Sequence, residues 1–287
     1  MIITKNQQRS DKKLWTNEGA GLPVQVLQAS SERSEAEAVI RRVRNTVDGG
    51  ARGYNHFAVL YRTNAQSRSI EEAFIHYSIP YRIVGGVRFY DRKEIKDIVA
   101  YLRLMYQPQD TASFDRIVNV PARGIGAKSL QVFHTWRESQ DLNLQTALAR
   151  VGESNEITGK AKNALLELGE MLESLRRVMS EENVRDTMNA LINRLDYLHY
   201  LDDGTAQGES RQENVKELLS MAEEYADLGL DGFLEEVSLL SDVETGKKDG
   251  NAVTLMTLHG AKGLEFPVVF MVGMEEPIFP HSRALYG

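Results

Sequence analysis

Five short apolar runs constrain the fold of this chain more than any other feature of its sequence. They lie at residues 24–28, 57–61, 80–84, 253–258 and 268–272. Each run has the length of a β-strand, and the last two are largely apolar throughout. Such runs are typical of strands in a parallel sheet that is covered on both faces. The sequence therefore predicts a parallel sheet.

Segments with helical periodicity separate the first three runs. Residues 34–47 place apolar side chains at helical intervals, and Ser34 with Glu37 has the spacing of a capping box. Residues 69–77 have the same helical character after the second run. The resulting β-α-β-α-β order is typical of a doubly wound α/β fold.

The α/β pattern is interrupted in the middle of the chain. After Gly85 and Gly86 almost every segment is helical in period, and apolar strands resume only near the end. This order predicts that one domain is inserted into another. We expect an α/β domain, formed by residues 1–85 and 246–287, that is interrupted by an all-helical domain at residues 86–245.

The charge is unevenly distributed along the chain. The net charge is −7, yet residues 1–103 hold 17 Lys and Arg against 11 Asp and Glu. Residues 150–249 hold 11 basic against 23 acidic residues. A basic surface can bind phosphates inside an acidic protein, although the net field does not attract DNA from a distance. The acidic helices are a possible protein interface.

Composition limits the remaining functional classes. The chain has 0 Cys, which excludes disulfides and thiolate metal sites and fits a reducing cytoplasm. It contains no apolar run of about 18 residues, so we expect no membrane span. His and carboxylate residues do not cluster with the spacing of metal ligands, so we expect no metal site.

A polar segment follows the run at residues 57–61. Tyr61 has an aromatic face on which a base could stack, and Arg62, Asn64 and Arg68 offer donors suited to phosphates, sugars or splayed bases. The structural alternative is a capped helix start with a solvated charged face.

A second candidate contact lies in the helical region. Arg123, Gly124, Ile125, Gly126 and Lys128 resemble the hairpin of a helix-hairpin-helix. Two glycines let a phosphate approach the backbone, and the N–H groups of the following helix point towards it. Such a contact is independent of DNA sequence. A plain turn between two helices is the alternative.

The segment between the last two apolar runs concentrates polar residues with glycine. His259 could donate to DNA, Lys262 could pair with an acid or a phosphate, and Glu265 could accept from a sugar hydroxyl beside Gly263. Ligands gather beyond the carboxyl ends of parallel strands, which is where this segment begins. His281 lies in a later loop with further donors for a phosphodiester.

Four segments, taken in order, resemble the motor core of the superfamily 1A DNA helicases, of the UvrD/PcrA type. They are residues 58–68, 80–97, 121–126 and 254–266, and the last of them matches helicase motif V. The resemblance covers essentially the whole chain. It implies that the α/β domain is a discontinuous RecA-like domain, called 2A, and that the helical insertion is domain 2B.

The resemblance also implies roles for individual residues. Glu265, with Gly263 beside it, would contact the ATP ribose. Single-stranded DNA would be contacted by Asn64, His259, Lys262 and His281. The chemistry of the residues after the run at 57–61 adds Tyr61, Arg62 and Arg68 as candidate contacts of the same strand. Duplex at a junction with single-stranded DNA would be contacted by Arg123, Gly124, Ile125, Gly126 and Lys128.

Several helicase motifs are absent from residues 1–287: the Gly-Lys-Ser/Thr phosphate loop, the Asp-Glu motif for Mg²⁺ and the arginine-finger motif. We therefore expect a fragment of a 3′ to 5′ DNA helicase that acts in repair or replication. The parent would use ATP and Mg²⁺ together with a missing first RecA-like domain. The isolated chain would bind no cofactor and hydrolyse no ATP.

Two alternatives remain open. A helicase-nuclease subunit of the AddA or RecB sort shares motif V and carries its nuclease domain far downstream. A stand-alone DNA-binding or partner-docking module would use the acidic helices of residues 150–249 as a protein interface. A module of this kind should bind DNA tightly alone, whereas a helicase fragment should bind weakly and with a steep dependence on salt.

Overall fold

The computed structural model describes residues 21–242 and 250–275 and contains a four-stranded parallel sheet. Its strands are β1 (Phe57–Tyr61), β2 (Tyr81–Ile83), β3 (Val253–Thr257) and β4 (Val268–Met271). They lie in the order β2-β3-β1-β4, so the two late strands flank β1. Ala58 pairs with Thr254 on one side and with Val269 on the other. The predicted parallel sheet is confirmed.

Eleven α-helices accompany the sheet in the described residues. Two of them pack on the sheet: α1 (Glu32–Asp48) and α2 (Ser67–His76). The others lie between β2 and β3: α3 (Lys93–Tyr106), α4 (Thr111–Ile117), α5 (Ala127–Ser139), α6 (Leu144–Arg150), α7 (Gly159–Glu181), α8 (Val184–Arg194), α9 (Tyr197–Leu201), α10 (Ala206–Glu224) and α11 (Gly229–Asp242). The α/β fold with a helical insertion is thereby confirmed.

The buried side chains form two hydrophobic clusters. One joins the four-stranded sheet to α1 and α2 and includes Phe57, Phe74 and Leu255. The other joins the helices that lie between β2 and β3 and runs from Phe89 to Leu240. Each cluster buries the apolar side chains of its own elements, which is the arrangement expected of two packed units. The domain boundaries at residues 85 and 246 remain predictions.

The predicted strand at residues 24–28 is wrong. Residues 21–29 have no regular secondary structure, and Leu22, Val24 and Val26 are each more than 90% exposed. A strand requires a partner edge, and within the described part of the chain no backbone hydrogen bond joins this run to the sheet. An apolar pattern alone therefore did not produce a strand here.

The helix start predicted at Ser34 lies three residues too late. Ser31 is the N-cap of α1, and its hydroxyl accepts from Ser34 N at 3.2 Å. The Ser34 hydroxyl in turn accepts from Ser31 N at 2.9 Å, so Ser34 occupies the third position of the capping box. Serine is chemically able to fill either position, which explains the shift.

No helix within residues 21–242 and 250–275 has both the length and the apolar character needed to cross a membrane.

Candidate nucleic-acid interface

Three loops meet at the carboxyl edge of the sheet, because its strands are parallel. A 3-10 turn at Asn64–Gln66 follows β1, a turn at residues 258–263 follows β3, and Gly273 follows β4. Backbone hydrogen bonds join the loops: Leu258 N donates to Tyr61 O at 2.8 Å, and Val272 N donates to Leu60 O at 3.0 Å. We call these segments the carboxyl-end loops.

Four of the predicted DNA contacts are exposed in the carboxyl-end loops. Arg62 and Asn64 lie in the loop after β1, and His259 and Lys262 lie in the turn after β3. This turn is fixed by Thr257, whose hydroxyl accepts from Gly260 N at 3.2 Å and whose carbonyl accepts from Ala261 N at 3.1 Å. The two loops present a basic, hydrogen-bonding surface on one edge of the sheet.

Two other predicted contacts are not available to DNA in this arrangement. Tyr61 is 1% exposed and belongs to the core of the sheet, where burial, followed by the charge of Glu71, raises its pKa. Arg68 is 5% exposed and its Nε lies 2.6 Å from Glu217 Oε1. Both side chains point inwards because the face of β1 and of α2 that carries them is covered. The DNA contacts predicted for Tyr61 and Arg68 are corrected accordingly.

Gly263 and Glu265, the two predicted nucleotide contacts before β4, are also exposed. Gly263 has a φ of +84°, a left-handed conformation that favours glycine. Glu265 follows it and lies on the surface close to the start of β4. Its carboxylate is therefore accessible to a sugar hydroxyl. His281 lies outside the described residues.

The predicted hairpin has a buried anchor. Asn119 Oδ1 accepts from Arg123 N at 2.7 Å and from Ile125 N at 3.2 Å, while the Ile125 side chain is buried in the helical cluster. The Arg123 guanidinium turns back to Ile117 O and Val120 O, both at 3.1 Å. Arg123 and Ile125 therefore hold the hairpin in place and do not form its outer surface.

Tyr101 completes this anchor from α3. Its hydroxyl accepts from Arg123 Nη2 at 2.6 Å and donates to Val120 O at 2.5 Å. Burial raises the pKa of Tyr101 to about 12, against the opposing charge of Arg123. The hydroxyl thus stays protonated near neutral pH and can make both hydrogen bonds.

The outer surface of the hairpin is formed by Gly124, Gly126 and Lys128, which are all exposed. Gly124 has a φ of +76°, and Gly126 is the N-cap of α5 with no side chain capping that helix. The N–H groups of the first turn of α5 therefore face outwards without a capping side chain. A helix start of this kind, with a lysine beside it, is suited to bind a phosphate.

The family profile for the UvrD-like helicase C-terminal domain matches residues 1–286. The chain belongs to this family. Three relatives share the name ATP-dependent DNA helicase PcrA. The protein from Bacillus subtilis (strain 168) is 40% identical, and the match covers 99% of this chain and 40% of the relative. Those from Leuconostoc citreum and Staphylococcus aureus (strain Mu50) are 38% and 37% identical over 99% of this chain.

The chain spans about two fifths of the length of the curated relatives that it matches. The predicted membership of the UvrD/PcrA type is confirmed by these matches.

In this UvrD-like chain, sequence reasoning missed a group of buried polar residues between α2 and the helical insertion. We call it the junction cluster, which consists of Ser67, Glu71, Arg92, Glu94 and Asn214. All five are at most 7% exposed. They come from α2, from the start of α3 and from α10, so the cluster joins the sheet domain to the first and the next-to-last helix of the insertion.

Hydrogen bonds run through the junction cluster from one end to the other. Ser67 Oγ donates to Glu71 Oε1 at 2.6 Å and accepts from Arg92 Nη2 at 2.7 Å. Arg92 Nη1 donates to Asn214 Oδ1 at 2.7 Å, and Asn214 Nδ2 donates to Glu94 Oε1 at 2.6 Å. Each polar group thereby has a partner, as buried groups require.

Burial raises the pKa of Glu71, although Ser67, the charge of Arg92 and the backbone N–H of Phe89 oppose the effect. Phe89 N donates to both carboxylate oxygens, at 3.2 and 3.1 Å. The carboxylate thus binds the chain where it enters the insertion. A pair of acidic residues inside an otherwise amphipathic helix, Glu71 and Glu72, was the only signal of this role in the sequence.

Arg68 forms a second link beside the junction cluster. Its guanidinium contacts Glu72 at 3.0 Å and Glu217 of α10 at 2.6 Å. Burial alone would lower the pKa of Arg68, but the charges of Glu72 and Glu217 outweigh it and raise the pKa. Tyr90 adds a hydrogen bond to Glu72 Oε1 at 2.5 Å. The ion pair between Arg68 and Glu217 joins α2 to α10.

No three His, Asp or Glu side chains within residues 21–242 and 250–275 are grouped as ligands of a metal ion.

Proposed function

We propose that this chain is a DNA-binding part of an ATP-dependent helicase. The helicase moves 3′ to 5′ along single-stranded DNA and unwinds duplex in repair or replication. The observation that carries the proposal is the exposure of Arg62, Asn64, His259 and Lys262 in adjoining loops on one sheet edge. Cationic and amide donors arranged in this way suit the phosphates of a single strand.

The nucleotide site of the parent would be shared with a first RecA-like domain. In this chain the exposed Glu265 would accept a hydrogen bond from the ribose of ATP, two residues after the left-handed Gly263. ATP hydrolysis would supply the free energy for movement along the strand. The phosphate cradle and the Mg²⁺ ligands would belong to the first domain, so the isolated chain hydrolyses no ATP.

An ATPase assay tests this part of the proposal. The purified chain with Mg²⁺ should release no phosphate above a buffer control, with or without single-stranded DNA. Activity that persists through a further purification step and is absent from a Glu265→Gln variant would contradict the proposal.

The hairpin would bind the duplex beside the single strand. Gly124 and Gly126 leave the backbone open to a phosphate, and Lys128 adds a positive charge. The contact would be independent of sequence, because nothing in the hairpin reads a base edge. The duplex would thus be held by the insertion while the carboxyl-end loops hold the strand.

Fluorescence anisotropy with a labelled single strand tests the strand contacts. The Arg62→Ala/Lys262→Ala double variant should weaken binding by roughly tenfold or more, and should reduce the log–log slope of affinity against salt concentration by roughly 1.4 for a single strand. Lys160→Ala, which removes an exposed charge on α7, is the matched control and should leave both values unchanged. Equal losses in the variant and the control would refute specific contacts in the loops.

A junction substrate tests the hairpin. Gly126 has a φ of −86° and open space around an added Cβ, so Gly126→Val is compatible with the fold. The valine side chain should block a phosphate and weaken junction binding several-fold, with little change for a single strand. An equal loss on both substrates would contradict the assignment of the hairpin to the duplex.

A further inference from the structure

Gln66 has two separate contacts at the carboxyl edge of the sheet. It is half-buried at the end of the 3-10 turn that follows β1. Its amide oxygen accepts from Arg62 N at 2.8 Å and from Thr63 N at 3.0 Å. These two hydrogen bonds fix the backbone of the loop that carries Arg62 and Asn64.

The amide nitrogen of Gln66 lies on the other side, against Gly273. A Cβ atom added at Gly273 would come within 1.8 Å of Gln66 Nε2. Gly273 also has a φ of +63°, and its N–H donates to the Glu35 carboxylate at 3.0 and 3.2 Å. Gln66, Gly273 and Glu35 thus bring together the loop after β1, the turn after β4 and helix α1.

We propose that Gln66 is a positioning residue for the DNA strand. It holds the loop of Arg62 and Asn64 in a fixed position relative to the turn at Gly273, so that these two side chains are in place before the DNA strand binds. The proposal rests on the proposed function, because it concerns residues assigned there to single-stranded DNA.

The physical reason is preorganisation. Arg62 and Asn64 are exposed, and a loop that must be ordered on binding loses affinity through the entropy of ordering. Gln66 orders the backbone before DNA arrives. A cap of the turn needs only the amide oxygen, so the close approach of the amide nitrogen to Gly273 indicates a link between two loops.

Replacement of Gln66 by methionine tests the first contact. Gln66→Met keeps the length of the side chain and its packing on Gly273 but removes the acceptor for Arg62 N and Thr63 N. We expect faster amide hydrogen exchange at Arg62 and Thr63, and affinity for a single strand reduced about fivefold to tenfold. The Gly126→Val substitution should still weaken binding to a junction more than binding to a single strand in the Gln66→Met background. A general loss of structure would abolish this difference as well.

Two glycines provide a matched test of the second contact. Gly273→Ala and Gly85→Ala both place a side chain at positive φ, +63° and +78°, but an added Cβ meets nothing within 4 Å at Gly85. Only Gly273→Ala should therefore accelerate amide exchange at Arg62 and weaken binding of the single strand. Gly85→Ala should show the loss of stability alone.

A double variant decides whether the contacts are coupled. Gln66→Ala makes room for the added Cβ, so Gln66→Ala/Gly273→Ala should be clearly less destabilised than the sum of the two single variants. Additive effects on stability, together with unchanged amide exchange in Gln66→Met, would overturn the proposal.

Failure of the proposed function is a distinct result. It would appear as no salt-dependent binding of a single strand by the unaltered chain, whereas the exchange and stability measurements test Gln66 without DNA. If the unaltered chain binds DNA and Gln66→Met binds it equally well, the positioning role is wrong although the function stands.

Discussion

The carboxyl-end loops and the junction cluster meet in sequence where the turn at Asn64–Gln66 passes into α2, which begins at Ser67. Both use arginine and asparagine side chains. In the loops Arg62 and Asn64 are exposed, whereas Arg92 and Asn214 in the junction cluster are buried and bonded to each other at 2.7 Å. The exposed groups remain available to an external partner, while the buried groups hold the insertion on the sheet domain. Residue type alone therefore does not distinguish a binding site from a structural joint.

The largest effect is expected at the centre of the junction cluster. Arg92→Ala removes the guanidinium that donates to Ser67 and Asn214 at 2.7 Å and the positive charge 4.0 Å from Glu71, and breaking a buried ionic network in this way costs about 3–5 kcal/mol. Urea unfolding of the variant measures the loss. Arg150→Ala removes an exposed arginine and should leave the urea midpoint unchanged. If both variants unfold at the same urea concentration, the junction does not hold the domains together.

A smaller effect is expected for the link between Arg68 and Glu217. A double-mutant cycle with Arg68→Gln and Glu217→Gln should give a coupling free energy of about 1–3 kcal/mol, because both side chains are largely buried. The same cycle on the exposed pair Arg150 and Glu153 should give no coupling above experimental error. Equal coupling free energies for the two pairs would show that burial does not strengthen the Arg68–Glu217 link.

Glu71 should make the stability depend on pH. Its pKa is raised by burial, so the folded chain binds the proton more tightly than the unfolded chain. Its contribution is complete below the unfolded pKa of about 4.5 and is lost as the pH rises through the higher folded pKa. The free energy of unfolding of the unaltered chain relative to Glu71→Gln should therefore fall as the pH rises from 4.5. A relative stability that rises with pH would contradict the assigned direction.

The smallest effect on stability is expected in the carboxyl-end loops. Asn64→Ala and Lys262→Ala change exposed side chains, so the free energy of unfolding should stay within about 0.5 kcal/mol of the unaltered chain. Urea unfolding measures this, and the same variants should still lose affinity for a single strand. Large losses of stability would show that these loops stabilise the fold, as the junction cluster does.

The sequence predicts the strands well where the residues are apolar over a full run. Runs at 57–61, 253–258 and 268–272 contain β1, β3 and β4, and their parallel arrangement places the loops after β1, β3 and β4 on one edge. The parallel arrangement therefore predicts that Arg62 and Lys262 lie at the same edge of the sheet, whereas the pairing of β1 with β3 is seen only in the structure. Residues 24–28 could not be judged in this way, because a strand depends on a partner elsewhere.

Side-chain direction and long-range partners were beyond prediction. Arg68 pairs with Glu217, which lies 149 residues later, and Arg92 pairs with Asn214, which lies 122 residues later. Neither pair follows a local sequence pattern. Each forms a single long-range contact and is not part of a helix face with a regular spacing of charges. Tyr61 differs from these pairs, because β1 lies between β3 and β4 and is buried along nearly its whole length, so its last residue is buried as well.

The strand order has a consequence for the synthesis of the chain. β1 lies between β3 and β4, and Ala58 pairs with Thr254, so the centre of the sheet is built from two distant parts of the sequence. During translation β1 leaves the ribosome well before either of its neighbours, while all the helices of the insertion emerge in between. The insertion can bury its own apolar side chains as soon as its helices have emerged. The sheet can pair β1 with its neighbours only after β3 and β4 have been synthesised. A ribosome that stalls before β3 should therefore carry folded helices beside an incomplete sheet with open edges.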